Sequence, residues 1–260
     1  DLTIVNSARV SFGKFKEVLD EKDKRLIRYL VNHRHTSTFE HNVATFLFVV
    51  PLFVRSQHHR HRTWSYNEIS RRYTDVNIRF YEPEAFRTQH KSNRQASNAE
   101  ELINPSVFWN RFGYPNDPDD VEVSEALKMH HEQSLSLFNQ LIEAGVCREQ
   151  ARGVLPQNMY TQYWGTVNLN NLLKFIELRT HEGAQWEIQK VAEACLEIAE
   201  DLWPIAVGSY RQAKKLRLRL EGLRALMKTD EVVITLKETG EVLSYKELLR
   251  LIDKFLESEE

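Results

Sequence analysis

Residues 60–73 read RHRTWSYNEISRRY and lie in a strongly basic segment of the chain. The wider segment 55–79 contains six arginines and three histidines against two acidic residues, which gives a local formal charge of +4. Arginine binds phosphate well because its planar guanidinium group donates two hydrogen bonds at once. The segment therefore predicts an anion-binding site, although a solvated basic surface would explain the same charges.

The composition of the whole chain is that of a globular protein. Its 260 residues are 42% hydrophobic and 28% charged, enough for one large domain or two small ones. The 35 basic and 37 acidic residues leave a net charge of -2, which argues against a general binder of polyanions. Only nine glycines occur, with no GxGxxG or GxxxxGK[ST] motif, so no Rossmann or P-loop nucleotide site is expected.

The longest apolar stretch and the cysteine content indicate in which cellular compartment the protein is expected. The stretch 43–54 is much shorter than the roughly 20 residues that a membrane helix needs. Two cysteines, Cys147 and Cys195, exclude a disulfide scaffold and favour a reducing compartment. No signal peptide is recognised, and a cytoplasmic protein is expected.

The apolar pattern of the first half predicts a helix, two strands and a polar excursion. Apolar residues recur at helical spacing over 20–33, and the β-branched and aromatic run 43–50 predicts a buried strand. A short helix is expected over 51–62, because proline suits the first helical position, and a second strand over 78–81. Residues 82–120 are polar, contain four prolines and show little periodicity, so we interpret them as an insertion or excursion.

The second half is predicted to be mostly helical. The expected helices are 121–144, one ending near Thr180, 184–202 and one running to about Lys228. The tail predicts a hairpin within 232–245 and a final helix that opens with a capping box at 244–247. Strands early and helices later indicate an α+β domain over 1–228, with 229–260 as an appendage.

The spacing within the opening stretch resembles a family signature. The triplet Arg60-His61-Arg62, seven residues and then Ser70 resemble the flavin-dependent thymidylate synthases, and 65–68 fits the SxNE element of that family. Three further elements resemble the family on either side of this signature and stand in the family's order. They are HTSTFEH at 35–41, REQAR with a Leu-Pro pair within 148–156, and a block within 166–187. The resemblance covers residues 6–81 and 121–210.

This resemblance implies one reaction. The family transfers a methylene group from methylenetetrahydrofolate to C5 of dUMP and reduces it to methyl with hydride from FAD, which NADPH then reduces again. The resemblance also implies a central antiparallel-rich sheet with flanking helices, and a homotetramer with active sites shared between subunits. Neither nucleic acid nor a membrane is an expected partner. The family binds FAD without a Rossmann motif, in agreement with the few glycines here.

The same resemblance assigns residues to the site. The catalytic candidates are Arg179, as the cation that polarises the pyrimidine ring, and Ser70, as a hydrogen-bonding partner of the ligand. The residues expected to bind dUMP are Gln57, Arg60, Glu68, Ile69, Ser70, Arg71, Arg72, Arg152 and Arg179. The residues expected to bind the flavin are His35, Ser37, Arg60, His61, Arg62, Thr63, Asn67, Glu68, Asn168, Asn170 and Lys174.

Several of these features have a simpler interpretation. Ser70 is an alternative nucleophile, but no Gly-x-Ser-x-Gly turn surrounds it. Ser65 and Glu68 also have the spacing of a helix capping box, which would make Glu68 structural. The histidines lack the spacings of zinc sites, so no metal is expected. Cys147 would be the nucleophile of the unrelated synthase class, but neither cysteine is expected to be catalytic.

Two other functions compete with the flavoenzyme. A single-stranded nucleic-acid-binding module would use the arginines together with Trp64, Tyr66 and Tyr73 as stacking surfaces. The slightly acidic net charge argues against it. The second alternative is a family member that keeps the fold and has lost the activity.

Five positions depart from the family pattern. His58 and His59 replace an aromatic pair that precedes the RHR triplet. Asn170 replaces an arginine, Lys174 replaces an asparagine, and Gly183 stands where some relatives carry a histidine. These changes affect the expected packing beside dUMP and the expected contacts to the flavin, rather than the reaction.

Overall fold

The computed structural model describes residues 1–109, 119–226, 234–235 and 242–243, and its chain forms two compact units. The first unit comprises Asp1–Asn42 and Glu197–Glu260, and the second comprises Val43–Leu196. The division expected from the sequence, a domain over 1–228 and an appendage over 229–260, stays a prediction.

The described residues form the following helices and strands. The α-helices are α1 (Leu2–Arg9), α2 (Glu21–Asn32), α3 (Ser37–Glu40), α4 (Leu52–His58), α5 (Val123–Glu143), α6 (Arg148–Ala151), α7 (Leu169–Arg179), α8 (Trp186–Leu202) and α9 (Pro204–Leu226). The strands are β1 (Val43–Pro51), β2 (Ser65–Glu68), β3 (Phe86–Gln89), β4 (Ser97–Ile103), β5 (Ser106–Trp109), β6 (Asp119–Glu122), β7 (Tyr160–Asn168), β8 (Ile234–Thr235) and β9 (Val242–Leu243). Short 3-10 helices cover Val10–Phe12 and Arg152–Val154.

The first unit contains the helix predicted over 20–33. α2 begins at a capping box, in which Asp20 accepts a hydrogen bond from the backbone of Asp23 and the Asp23 side chain accepts one from the backbone of Asp20. Its buried face carries Ile27, Leu30 and Val31, at the helical spacing seen in the sequence. This prediction is confirmed.

A three-stranded antiparallel sheet in the order β1–β7–β2 lies in the second unit. β1 and β7 pair along their whole lengths, from Val43 opposite Asn168 to Pro51 opposite Tyr160. β2 pairs with the other edge of β7, from Ser65 opposite Thr166 to Glu68 opposite Tyr163. The antiparallel sheet and the helices around it in sequence confirm the α+β class.

The two faces of this sheet differ in burial. Phe46, Phe48 and Tyr163 are buried on one face, whereas Leu47 and Trp164 on the other face are 47% and 53% exposed. Side chains alternate between faces along a strand, so an antiparallel sheet covered on one side buries every second residue. The strand predicted over 43–50 is confirmed, but it is buried on one face only, whereas the sequence predicts a buried strand.

Three other local predictions in this unit need correction. The helix expected over 51–62 covers only Leu52–His58, because Pro51 is the last residue of β1. The strand expected over 78–81 is a single bridge between Phe80 and Met159, just before β7 begins. Residues 65–68 form β2 instead of opening a helix, since pairing with β7 fixes them in an extended conformation, so the capping-box interpretation is wrong.

The segment 82–120 contains regular structure that its sequence did not predict. Antiparallel pairing of β3 with β4 and of β5 with β6 makes two small two-stranded sheets. The register of the first shifts between Arg87 and Thr88. Short strands of polar residues give too weak an alternation to be recognised from sequence.

The predictions for the second half are largely confirmed. α5, α7, α8 and α9 match the expected helices within a few residues at each end. Gly145 follows α5 with a φ of 87°, the left-handed conformation that glycine adopts without strain. β8 and β9 pair as an antiparallel hairpin, as predicted. The final helix expected from residue 244 lies outside the described residues. None of the described helices is both long enough and apolar enough to cross a membrane.

Candidate active site

Arg179 is anchored by two hydrogen bonds at the end of α7. Its Nε donates to Nε2 of His61 at 3.0 Å, and its Nη2 donates to the backbone carbonyl of Gln57 at 3.2 Å. A guanidinium group can only donate, so Nε2 of His61 accepts and the ring hydrogen lies on Nδ1. Burial, with a smaller contribution from Arg179, lowers the pKa of His61 to about 4 and keeps this ring neutral near pH 7.

This anchoring leaves most of the guanidinium group free to bind a ligand. Arginine has five N–H donors, and the two bonds to His61 and Gln57 use two of them, so three have no partner among the described residues. Burial lowers the pKa of Arg179, but arginine stays charged at any pH at which a protein is folded. The site therefore presents a fixed cation with unused donors.

An aromatic cluster beneath the sheet holds the segment 58–61 in place. Nδ1 of His58 lies 2.8 Å from the hydroxyl oxygen of Tyr163, and the Tyr66 hydroxyl donates to the carbonyls of His58 and His61 at 3.0 and 3.1 Å. The Phe175 ring lies 4.6 Å from the His58 ring and 4.9 Å from the His61 ring. These contacts fix the imidazole that orients Arg179.

His58 is part of the core, although it departs from the family pattern. It is fully buried, and its ring packs against Phe48 and Trp64 at 4.7 and 4.5 Å. Burial is the main cause that lowers its pKa to about 3, so the ring is neutral and packs as an aromatic residue would. The His59 ring similarly packs against Tyr66, tilted by 33° with the ring centres 4.1 Å apart.

The sheet approaches this cluster so closely that β7 needs a glycine there. A Cβ atom at Gly165 would lie 2.9 Å from the Phe48 ring and 3.2 Å from the Trp64 ring. Both rings belong to the packed cluster and cannot move away cheaply. Glycine at this position therefore allows the aromatic cluster to form.

Glu68 is the last residue of β2, and Ser70 lies in the turn that follows the strand. The Glu68 carboxylate accepts a hydrogen bond from Nε of Arg55 at 3.1 Å and another from the Thr161 hydroxyl at 2.6 Å. Ser70 Oγ accepts from the backbone N–H of Arg72 at 3.3 Å, and its carbonyl accepts from the backbone N–H groups of Tyr73 and Thr74. Glu68 thus has a structural role, though through an ion pair rather than the capping box suggested by sequence.

Arg72 and Arg71 lie in the same turn but have different surroundings. Arg72 is largely exposed, with Glu149 as a distant ionic partner at 3.8 Å. Arg71 is buried, donates to the carbonyl of Val76 at 2.7 Å, and has an Nε atom without a partner in the described residues. Arg71 borders a cavity of about 380 Å³ whose other lining residues are Val49, Ile69, Val76, Asn77, Arg79, Tyr160, Thr161 and Gln162.

Three of the arginines assigned from the sequence have unpaired side chains. In the described part of the chain, the guanidinium groups of Arg60, Arg62 and Arg152 are exposed and form no hydrogen bond or ion pair with protein. Thr63 and Asn67 are exposed beside them in sequence. Such arginines can bind an anionic ligand without first breaking an ion pair within the protein.

The remaining residues assigned to the flavin differ in their burial and in the unit to which they belong. Asn168 caps α7, because its side chain accepts from the backbone of Asn171 at 2.9 Å. Asn170 is buried and Lys174 is exposed on the same helix. His35 and Ser37 are exposed and belong to the first unit.

One part of the surroundings of Gln57 is not indicated by the sequence. Its side-chain amide donates to Gln185, whose own amide donates to Glu187 at 2.8 Å, and Glu187 pairs with Arg87. Gln185 and Glu187 belong to the family element within 166–187, which suggests no contact with Gln57. Arg87 lies in the segment 82–120, whose sequence has little hydrophobic periodicity. Nothing in the sequence links Arg87 to Glu187, which are 100 positions apart.

The structure also gives observations on the three alternatives, namely a metal site, a cysteine nucleophile and a nucleic-acid-binding surface. Within the described ranges, no three His, Cys, Asp or Glu side chains lie close enough to share a metal ion. Cys147 and Cys195 are both free thiols, and burial raises the pKa of Cys195 to about 12, which makes it a poor nucleophile. Of the three aromatic residues suggested for nucleic-acid stacking, Trp64 is buried, and Tyr66 is hydrogen-bonded in the core cluster.

Comparisons with known proteins agree on one family. The family profile described as "Thymidylate synthase complementing protein" matches residues 1–205. A protein of Thermus thermophilus named flavin-dependent thymidylate synthase is 40% identical over 237 residues, which cover 89% of this chain and 81% of the relative. A protein of the same name from Thermosipho melanesiensis is 38% identical over 211 residues, covering 81% and 85% of the two chains.

A solved structure is similar as well. It is that of PolB from Streptomyces cacaoi, described as a UMP/dUMP methylase bound with 5-Br dUMP. The TM-score is 0.64 at 30% sequence identity, and the match covers 81% of this chain and 90% of PolB.

Proposed function

The chain belongs to the family of flavin-dependent thymidylate synthases, and from that premise we propose how its residues carry out the reaction. It is a methyltransferase that depends on FAD and methylates dUMP at C5. The carbon donor that we propose is methylenetetrahydrofolate, and the source of electrons is NADPH. When bound, the reduced flavin supplies the hydride that converts methylene to methyl.

The observation that carries the proposed mechanism is the anchored guanidinium group of Arg179. C5 of uracil is a weak nucleophile until electron density is pushed into the ring. A fixed cation facing N3 and a ring carbonyl stabilises the enolate-like form in which C5 is nucleophilic. Arg179 suits this role because His61 and Gln57 hold it in place while three N–H donors stay free.

We assign the phosphate of dUMP to Arg72 and Arg152. Arg152 has no protein partner in the described residues and Arg72 has only a distant one, so a phosphate would not have to displace a strong ion pair. Ser70 and the backbone of its turn provide further hydrogen-bonding groups. Within the described chain, no hydrogen bond or ion pair joins this turn to Arg179. Active sites completed by a neighbouring subunit are what the family resemblance implies.

The residues assigned to FAD fit an anionic dinucleotide. Arg60 and Arg62 provide two unpaired charges for its pyrophosphate, and the exposed amide of Asn67 provides hydrogen bonds without a Rossmann turn. Lys174 is exposed and supplies a positive charge on the helix where Asn170 replaces the family's arginine. His35 and Ser37 are assigned to the flavin on the resemblance alone.

An absorbance spectrum and one assay test this function directly. We expect the purified protein to be yellow, with the absorption bands of bound flavin, and to oxidise NADPH and form dTMP only when dUMP and methylenetetrahydrofolate are both present. A protein that stays colourless after incubation with FAD would contradict the proposal. Bound flavin without any turnover would instead indicate a member that has lost the activity.

Replacing Ser70 separates ligand binding from nucleophilic catalysis. We expect Ser70→Ala to reduce the rate of methylation by about tenfold, the cost of one lost hydrogen bond, and to leave measurable turnover. Steady-state kinetics with dUMP measures the effect. Complete inactivity in a variant that still binds flavin would support the alternative in which Ser70 is the nucleophile.

We also propose that the chain assembles as a homotetramer through the exposed face of its sheet. Leu47, Val49 and Trp164 lie on that face and are 47%, 44% and 53% exposed, and Val43 at its end is 59% exposed. Apolar patches of this kind on a sheet mark interfaces, and a second copy of the chain is the partner that the family resemblance predicts. The free and exposed thiol of Cys147 suits the reducing cytoplasm, where we place the enzyme.

A further inference from the structure

Arg87 lies in the segment 82–120, for which the sequence predicts no role. Its Nη2 donates to Oε1 of Glu187 at 2.5 Å, and the two side chains are 21% and 11% exposed. The guanidinium group also lies over the Trp186 ring, 4.8 Å from its centre. An ion pair so well shielded, with an aromatic ring on one side, has a fixed geometry.

Glu187 is the first member of a series of hydrogen bonds that continues through the side-chain amides of Gln185 and Gln57. Its other oxygen, Oε2, accepts from the side-chain amide of Gln185 at 2.8 Å, and Oε1 of Gln185 accepts from the side-chain amide of Gln57. Burial favours the neutral form of Glu187, but the hydrogen bonds from Arg87 and Gln185 outweigh it and hold the pKa below its usual value. The carboxylate is therefore ionised and can only accept hydrogen bonds.

The charge of Glu187 determines which way both amides face. Because the carboxylate only accepts, Gln185 must turn its NH₂ group toward Glu187 and its oxygen toward Gln57. Gln57 must then turn its NH₂ group toward Gln185, which leaves its own side-chain oxygen without a partner in the described residues. The backbone carbonyl of the same residue accepts from Arg179 at 3.2 Å.

We propose that Arg87 and Glu187 are positioning residues, which orient Gln185 and Gln57 so that Gln57 presents its amide oxygen to an N–H or O–H group of the nucleotide. This inference rests on the proposed function, which places Gln57 at dUMP. It gives the insertion a role in substrate binding, since without Arg87 the carboxylate loses its cationic partner and the two amides lose their fixed direction.

The test compares variants along this chain of contacts. We expect Arg87→Met and Glu187→Gln each to raise the KM for dUMP about tenfold with the flavin spectrum unchanged, and Arg87→Met also to lower the melting temperature, because a shielded carboxylate loses its cation. Glu187→Gln keeps the shape of the side chain but allows its end group to donate as well as accept, so it tests orientation even if Arg87→Met fails to fold. The double variant should be no worse than either single one, because both changes disrupt one connected set of bonds.

Two further variants complete the design. Arg87→Lys keeps the charge and should restore part of the affinity for dUMP. Arg94→Met removes an exposed arginine of the same segment and should leave the KM unchanged. An increase in KM for Arg94→Met equal to that of Arg87→Met would overturn the inference, because the effect would then come from total charge.

Gln57→Ala distinguishes failure of this inference from failure of the proposed function. If Gln57→Ala raises the KM for dUMP while Arg87→Met and Glu187→Gln do not, the positioning role is wrong and the dUMP site stands. If Gln57→Ala leaves the KM unchanged, Gln57 does not contact dUMP, and both the assignment of the site and the inference built on it are contradicted.

Discussion

Arg179→Ala is expected to abolish methylation while the protein still folds and binds flavin. The guanidinium group is the fixed cation next to His61, and its removal takes away the charge assigned to stabilise the electron-rich pyrimidine. Loss of one such preorganised donor lowers kcat by about 10²–10³-fold, and we expect an effect at least that large because a charge is lost as well. The rate of dTMP formation measures it, with flavin absorbance recorded on the same sample.

Two control variants separate chemistry from structure. Lys128→Ala removes an exposed cation from α5, far along the chain from the site, and should have wild-type activity. Arg179→Lys keeps a charge but lacks the planar fork that binds His61 and Gln57 together, so it should recover only a small part of the rate. Wild-type turnover in Arg179→Ala would remove Arg179 from its role.

Trp164→Arg is expected to break the assembly and, with it, the activity. Trp164 lies on the central strand β7 with Leu47 opposite it, in the middle of the exposed apolar face. A charge there would be buried against a second copy of the chain at a cost of several kcal/mol. Light scattering after size-exclusion chromatography should show four times the 30.6 kDa chain mass for the wild type and a smaller species for the variant.

A matched substitution on another apolar surface controls for solubility. Phe108 on β5 is 64% exposed, and Phe108→Arg introduces the same charge away from the proposed interface. We expect this variant to keep both the wild-type mass and the activity. If Trp164→Arg also keeps the wild-type mass, the sheet face is not the interface; if it dissociates yet remains fully active, the active sites are not shared.

Local patterns predicted the fold where periodicity was strong. α2 has both its capping residues and its apolar stripe in the sequence, and the run that became β1 is rich in β-branched and aromatic residues. Pairing between distant segments overrode local preference elsewhere. The pattern at 65–68 suggests a helix cap, but hydrogen bonds to β7, about 100 positions away, make it a strand.

The site was predictable only in its residue types. The RHR triplet, Ser70 and Arg179 could be chosen by resemblance, and the structure joins Arg179 to His61 and Gln57 as a cluster. The relation of Arg87 to Glu187 could not be predicted, because it depends on a hairpin of polar strands that packs beside the start of α8. Likewise, His58 looked like a departure at the mouth of the site, whereas burial makes it a core residue.

Mass spectrometry of the enzyme during turnover tests most directly whether Arg179 activates dUMP without a covalent bond. The reaction would be stopped with acid while dUMP, methylenetetrahydrofolate and NADPH are being consumed, and the intact polypeptide weighed under denaturing conditions. An electrostatic mechanism predicts the mass of the unmodified chain at every time point. A transient species heavier by the mass of the nucleotide would show that a side chain attacks the base, and would contradict this account.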